Sequence, residues 1–284
     1  MKKVLTVVIS CTLILLVKII INRQNFYINP YKEEKSCEEL IKKKNIEQFI
    51  FNNTLTWFIP CTFNKIENPF KNYINKNDIS YLQLINNKVF KNINDKIIIF
   101  CHGNSYNITW KTKILDKLSD NFNYPIICQD YLRVNNPDIN SMIENTSDLI
   151  KFLNKKGYDN DSIILFGESI GCSIILNVAK KYNIKNVICY IGFRKMSNVI
   201  KIILPFFGHF ISLFTNELNN EEIIKSNNFN ITLLNSPYDK LVNYNDIKDM
   251  IKNTNIELLE INGSHNRPII PDDVFLRLKE KYNI

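Results

Sequence analysis

The chain has 284 residues, 45% of them hydrophobic, and a formal net charge of +8. That length suits one large α/β domain or two small ones, and the plentiful Ile and Phe exclude wholesale disorder. The lysines are spread out, the densest run being Lys42-Lys43-Lys44, and no nucleic-acid motif accompanies them, so no nucleic-acid partner is expected.

Seven cysteines include no CxxC pair, and three histidines cannot complete a metal-finger spacing, so neither a metal nor a cofactor is expected. Cys101, Cys128 and Cys189 fall in apolar runs and read as small buried hydrophobes. Cys37 and Cys61 lie outside those runs, which leaves a disulfide between them open. Gly is scarce at seven, so each one marks a place where the backbone needs it.

In chain order, Lys2 and Lys3 precede an apolar run from Val4 to Val17 that continues past Lys18 to Ile21. If Lys18 snorkels, residues 4–21 are long enough for a membrane anchor within an N-terminal segment 1–25. A secretory signal shares the basic start and apolar middle, but no small-x-small cleavage site follows before Asn22. Lys18, Arg23 and Lys32 blur the charge asymmetry that would set the side of the membrane. Residues 26–45 are polar and read as a stalk, and 46–284 read as one globular α/β domain.

Phe49–Ile59 and Ile79–Ile85 predict the antiparallel strands of an opening hairpin. Six short apolar runs follow: Ile97–Cys101, Pro125–Cys128, Ser162–Phe166, Val187–Ile191, Ile231–Leu234 and Ile256–Ile261. They are continuously hydrophobic, as strands covered on both faces should be. Amphipathic stretches at 141–155, 170–182, 245–253 and 271–282 predict helices between and after them. The expected architecture is α/β, a mostly parallel central sheet with helices on both faces. Residues 193–228 break the alternation with the aromatic-rich run Val199–Phe210 and predict a small lid insertion, a core helix pair being the alternative.

The chemistry starts at Gly167-Glu168-Ser169-Ile170-Gly171, set between a strand and a helix. A G-x-S-x-G turn in that context is a nucleophile elbow, which holds the Ser in a strained backbone. Gly167 and Gly171 remove side chains that would clash with strand and helix. A Ser hydroxyl needs a base. Of His102, His209 and His265, His265 is the candidate, because it follows the last strand behind a flexible Gly263. Asp239, after the run Ile231–Leu234, is the candidate acid to orient it. A tetrahedral oxyanion needs backbone donors. Ile170, directly after the nucleophile, is one, and Asn104 in His102-Gly103-Asn104-Ser105 is the other. His102 and Gly103 read as supports of that loop, and His209 as a lid residue.

With those residues in place, the chain resembles the α/β-hydrolase superfamily. Within it the resemblance is to the Bem46-like proteins and the ABHD12-, ABHD13- and ABHD17-type hydrolases. It runs from about residue 80 to the C-terminus and rests on five motifs. These are His102-Gly103-Asn104, Gln129-Asp130-Tyr131-Leu132-Arg133, the elbow, Tyr238-Asp239-Lys240-Leu241-Val242, and Gly263-Ser264-His265-Asn266. Relatives carry Asp-Tyr-Arg-Gly in the second motif, and this chain departs from that with Leu132 before Arg133 and Val134 after it. The resemblance implies hydrolysis of lipid esters or acyl thioesters, so an acyl-ester or lipid-like substrate is expected, with the membrane as a partner through residues 4–21. A serine peptidase on the same fold, or an inactive membrane-bound binding protein, are the rivals. A Ser at the elbow disfavours Asp-nucleophile chemistry.

Overall fold

The computed structural model describes residues 38–44, 47–51, 54–60, 96–104, 108–122, 124–130, 138–213 and 218–284. The apolar run 4–21, the run Ile79–Ile85, Cys37 and Cys61 lie outside them. The expected stalk 26–45 is corrected at its end, where Glu38–Lys44 forms helix α1. Leu40 is buried there, and Lys43 and Lys44 reach Asp116 at 3.1 and 3.4 Å. One buried Leu and two lysines pairing across to the domain suffice to seat a short helix that a polar composition does not announce.

The expected hairpin is corrected as well. Strands β1 (Glu47–Phe51) and β2 (Thr54–Ile59) pair with each other, Glu47 opposite Phe58 through Phe51 opposite Thr54. The run 49–59 therefore supplies both strands. In the sequence, only the polar pair Asn52-Asn53 interrupts that run between the two strands.

The six apolar runs become β3 (Ile97–Cys101), β4 (Ile126–Asp130), β5 (Ile163–Glu168), β6 (Asn186–Tyr190), β7 (Asn230–Asn235) and β8 (Glu257–Glu260). With β1 and β2 they form one sheet of order β1-β2-β4-β3-β5-β6-β7-β8. β2 runs antiparallel to β4, and β3 to β8 are parallel. Helices α2 (Thr112–Asn121), α3 (Ile139–Lys155), α4 (Ile170–Tyr182) and α8 (Tyr244–Ile251) make crossovers, and α9 (Asp272–Tyr282) closes the chain. The sequence reading has no counterpart of α2, because Leu115 and Leu118 give it only a narrow apolar stripe. Asp138 caps α3 by accepting from the Asn140 and Ser141 N–H groups at 2.9 and 3.0 Å.

Alternation along the strands explains the continuous apolar runs. Ile97, Ile99, Ile163 and Leu165 pack in the layer of α3 and α4, while Ile98, Phe100, Ile164 and Phe166 pack in the layer of α2 and α9. Both faces are dry, so both parities must be apolar. After β3 the chain goes to β4 on one side and then returns to β5 on the other. The strand order reverses at β3, and the crevice at its carboxyl end is where open α/β sheets place ligands.

Between β6 and β7 the chain makes an excursion of α5 (Met196–Ile203), α6 (Gly208–Ser212) and α7 (Asn220–Lys225). Ile224 of α7 joins the main core, so this helix belongs to the flanking layer. α5 and α6 bury Met196, Val199, Ile200 and Ile211 on one side and leave their other side in water. The base of the excursion is zipped shut. Lys195 pairs with Asn219, and Arg194 grips Glu221 through two bonds of 2.8 and 2.9 Å. Hydrogen bonds from Arg194, opposed in part by burial and reinforced by Lys225, hold the Glu221 carboxyl down at about 2, against an ordinary 4.5.

A carboxylate held low stabilises the fold above its unfolded pKa, and that contribution is lost as the pH falls through the folded value. Thermal melts of Glu221→Gln are therefore expected to lie below wild type at pH 7. The two curves are expected to converge as the pH drops from 4.5 toward 2. A constant gap across that window would mean the ion pair contributes nothing through its charge.

Candidate active site

The elbow follows from local sterics. Ser169 sits between β5 and α4 with φ 53° and ψ −114°, a left-handed strain that ordinary side chains avoid. Its N–H donates to the Tyr190 carbonyl at 2.9 Å and its carbonyl accepts from the Cys172 N–H at 2.9 Å. These bonds fix the turn at both ends. A Cβ on Gly171 would lie 2.1 Å from the Cys101 carbonyl oxygen, and one on Gly167 would lie 2.6 Å from the Gly171 carbonyl oxygen. Close approach of helix, turn and neighbouring strand therefore requires both glycines.

Three elements converge on that turn. His265 occupies the bend between β9 (Asn262–Ser264) and β10 (Arg267–Ile269), a two-stranded hairpin after β8. Gly263 takes φ +84° there, and a Cβ on it would meet the Arg267 carbonyl oxygen at 2.1 Å. His265 Nε2 stands 3.1 Å from Ser169 Oγ, and His265 Nδ1 stands 2.7 Å from Asp239 Oδ2. Asp239 follows β7. Its other oxygen, Oδ1, accepts from the Leu241 and Val242 N–H groups at 2.8 and 2.9 Å. With both oxygens engaged as acceptors, the carboxylate takes the proton-bearing Nδ1. That leaves the Nε2 lone pair facing the Ser169 hydroxyl.

Ser236, which the sequence reading passes over, ties these parts together. Its hydroxyl donates to the Gly263 carbonyl at 2.5 Å, linking the Asp239 loop to the His265 hairpin.

Ile170 is the first residue of α4, and first-turn N–H groups have no partner within their own helix. Asn104, after β3, lines the same cavity as Ser169, Ile170 and His265. The remaining sequence candidates sit around these. Gly103 lies against Glu168 and Ser169, with a hypothetical Cβ 3.3 Å from Glu168 Cδ. His102 is fully buried, its Nδ1 bonded to the Gly103 carbonyl at 2.8 Å and its Nε2 3.6 Å from Asp130. It supports the loop and is not brought to Ser169. His209 is exposed on α6.

The pair Lys111–Glu168 is absent from the sequence reading. Glu168, inside the elbow, accepts from the Gly103 N–H at 3.1 Å and from Lys111 Nζ at 2.9 Å. Burial alone would push its carboxyl up. The Lys111 ammonium, the Gly103 N–H and His102 together outweigh burial and hold it below the usual carboxylate range. The carboxylate thus clasps the loop of Gly103 and Asn104 to the elbow, and Lys111 cancels its charge beside Ser169. The signal was present in principle, since a Glu in a buried turn must find a cation. Nothing in the sequence spacing says which lysine.

The cavity has a volume of about 240 Å³, and Ile191, Phe193, Met196, Val199 and Val242 supply apolar lining. Ile191 takes φ 48°, unusual for a β-branched residue, and its N–H donates to the Leu234 carbonyl at 2.7 Å. Among the described residues no cluster of His, Cys, Asp and Glu could hold a metal ion. Likewise, no described helix is long and apolar enough to cross a membrane. Cys101, Cys128, Cys172 and Cys189 are free and buried, and burial pushes the Cys101 thiol up to about 12.

No protein-family model matches the sequence. A protein of Acanthamoeba polyphaga mimivirus, named only as uncharacterized, is 29% identical over 220 residues, 66% of this chain and 73% of that protein. A second mimivirus protein carries a provisional alpha/beta hydrolase name. It is 34% identical over 94 residues, 31% of this chain and 36% of its own length. Among solved structures, an esterase of Pyrococcus furiosus superposes with a TM-score of 0.60 at 13% identity, covering 90% of this chain and 96% of that one. The reversal of strand order at β3, the elbow after β5 and this superposition give one conclusion: the chain has the α/β-hydrolase fold.

Proposed function

We propose that the protein is a serine hydrolase that cleaves acyl esters or thioesters through an acyl-enzyme. The observation that carries this reading is the relay from Asp239 through His265 to Ser169, which ends in a cavity that Ile191, Phe193, Met196 and Val199 also line. In this mechanism Ser169 Oγ attacks the acyl carbonyl carbon as its proton passes to His265 Nε2. Asp239 orients the ring and stabilises the imidazolium. The oxyanion is met by the Ile170 and Asn104 N–H groups. The carbon–oxygen or carbon–sulfur bond then breaks, and His265 returns the proton to the leaving alcohol or thiol. Water, deprotonated by the same His265, attacks the acyl-Ser169 carbonyl; the acyl–Oγ bond breaks, His265 passes the proton to Ser169 Oγ, and the acid leaves.

Within the fold, the motifs at the elbow and at Asp239 and His265 resemble those of the Bem46-like and ABHD-type hydrolases. We read the chain as similar to that group, with residues 4–21 as a membrane anchor. Clefts that take up whole drug-sized ligands measure about 300–1,000 Å³. At about 240 Å³ this cavity suits a single acyl arm. A panel of soluble esters and thioesters with acyl chains of increasing length is expected to show turnover that peaks at short to medium length and then falls. A folded protein that turns over no member of the panel would sink the reading.

A further inference from the structure

Ten large hydrophobic side chains stand exposed among the described residues, and six of them lie between 202 and 213. They are Ile202, Ile203, Phe206, Phe207, Phe210 and Leu213, with Phe206 91% exposed and Leu213 69% exposed. Scattered exposed apolar residues need no explanation, but a contiguous patch does. The opposite sides of α5 and α6 already bury Met196, Val199, Ile200 and Ile211 in the core. The outer side is thus apolar in addition to what folding uses. Gly208 presses α6 onto α5, since a Cβ there would meet the Ile200 carbonyl oxygen at 2.7 Å. The outer residues are therefore held out on a packed helix pair.

Two further features say what covers this surface. The patch is continuous with the candidate active site, because Ile203 is exposed and also lines the cavity that contains Ser169. The segment that carries it is basic, although Asp246 approaches the inner side of α5 through Asn198. Residues 192–216 contain no Asp or Glu, and they carry Arg194, Lys195 and Lys201. Arg194 is engaged with Glu221, while Lys201 is exposed beside the patch. Lys240 and Lys248 line the hollow that Ile202 borders, together with Glu260 and with Asp239, whose carboxylate is engaged by His265. An apolar face rimmed by lysines is the pattern of elements that lie in the surface of an anionic bilayer.

We infer that the outer face of α5–α6 docks on an anionic lipid surface and that the ester hydrolysed at Ser169 is drawn from that surface. The inference rests on the hydrolase reading for its second half only. The small cavity fits it: one acyl arm enters past Ile203 while the rest of the lipid stays in the bilayer.

The test uses the full chain carrying Phe206→Trp, read against wild type to subtract Trp57 and Trp110. Vesicles of phosphatidylserine and phosphatidylcholine with brominated acyl chains are added. The added Trp at 206 is expected to shift to the blue and to be quenched, more strongly than with phosphatidylcholine alone. Leu276→Trp, an exposed position on α9 in the opposite layer, is expected to show neither change. Equal quenching at both positions would mean that docking comes from elsewhere in the chain. A Trp at 206 that stays water-exposed with vesicles would overturn the proposal. So would one already shifted without vesicles, since a second copy (if concentration-dependent) or the chain's own apolar segment would then be the occupant.

The double variant Phe206→Asp/Phe210→Asp separates this proposal from the hydrolase reading, because neither residue lines the cavity. It is expected to hydrolyse a soluble ester within twofold of wild type. The same acyl ester carried in phosphatidylserine vesicles is expected to be hydrolysed at least tenfold more slowly. Equal loss on both substrates, or on neither, contradicts the docking role. Wild type inactive on both would sink the hydrolase reading and leave the quenching result to decide docking alone.

Discussion

Ser169→Ala is expected to lower kcat/KM for any ester the protein turns over by roughly 10⁴-fold or more, with little change in thermal stability. The loss corresponds to about 5 kcal/mol of transition-state stabilisation at about 1.36 kcal/mol per tenfold. The two effects separate because of where the hydroxyl sits. Ser169 Oγ has His265 Nε2 as its partner at 3.1 Å, on the open side of the elbow. The bonds that hold the turn run through the Ser169 backbone, to Tyr190 and Cys172. Alanine keeps those bonds and the Cβ, so the fold loses one partly buried hydrogen bond, while the reaction loses its nucleophile. Residual turnover within tenfold of wild type would mean that another group attacks, and steady-state kinetics with a matched melting curve decide it.

The second large effect is on stability. Gly171→Ala is expected to destabilise the fold by about 3 kcal/mol, at the upper end for overpacked sites, and to abolish activity with it. The added methyl would sit 2.1 Å from the Cys101 carbonyl oxygen, 2.8 Å from the Cys101 carbonyl carbon and 2.9 Å from the His102 carbonyl oxygen. All three are backbone atoms at the end of a central strand, and none can swing aside as a side chain can. Relief requires α4 to back away from β3, which pulls Ile170 away from Asn104. Gly103→Ala makes the contrast. Its nearest neighbour is a side-chain atom, Glu168 Cδ, at 3.3 Å, so a small adjustment accommodates it. Denaturant melts of the two variants are expected to differ by more than 1.4 kcal/mol, a factor of about ten in the folding equilibrium. Equal stability would mean that the strand–helix contact is looser than the backbone positions imply.

What the sequence made legible follows from how locally each feature is encoded. The core strands were readable because both faces are buried: Ile97–Cys101 runs without a polar break and forms β3 with the same ends. Helix 170–182 was readable from its period and begins and ends where expected. The elbow was readable because steric demand leaves glycine on both flanks. The contacts Ser169–His265 and His265–Asp239 span 96 and 26 positions, and only the order of strand ends hinted at them. The pairing of Glu47–Phe51 with Thr54–Ile59 is not legible because the segment 49–59 reads as one largely apolar run. Helix α2 is hard to read because its apolar stripe is narrow, and the Lys111–Glu168 pair because a lysine that neutralises a buried carboxylate looks, in sequence, like any surface lysine. The excursion 193–228 carries two kinds of packing in one apolar stretch, α7 on the core and α5–α6 half in water, which composition alone does not separate.

Whether Ser169 is the activated nucleophile of an acyl-transfer relay is tested most directly by labelling the native protein with a fluorophosphonate, followed by mass mapping of the modified peptide. A single adduct is expected on Ser169, formed in wild type and slowed at least a hundredfold in Asp239→Asn, whose amide cannot hold His265 in the required tautomer. An adduct on another residue, or labelling of Ser169 at an unchanged rate in Asp239→Asn, would contradict it.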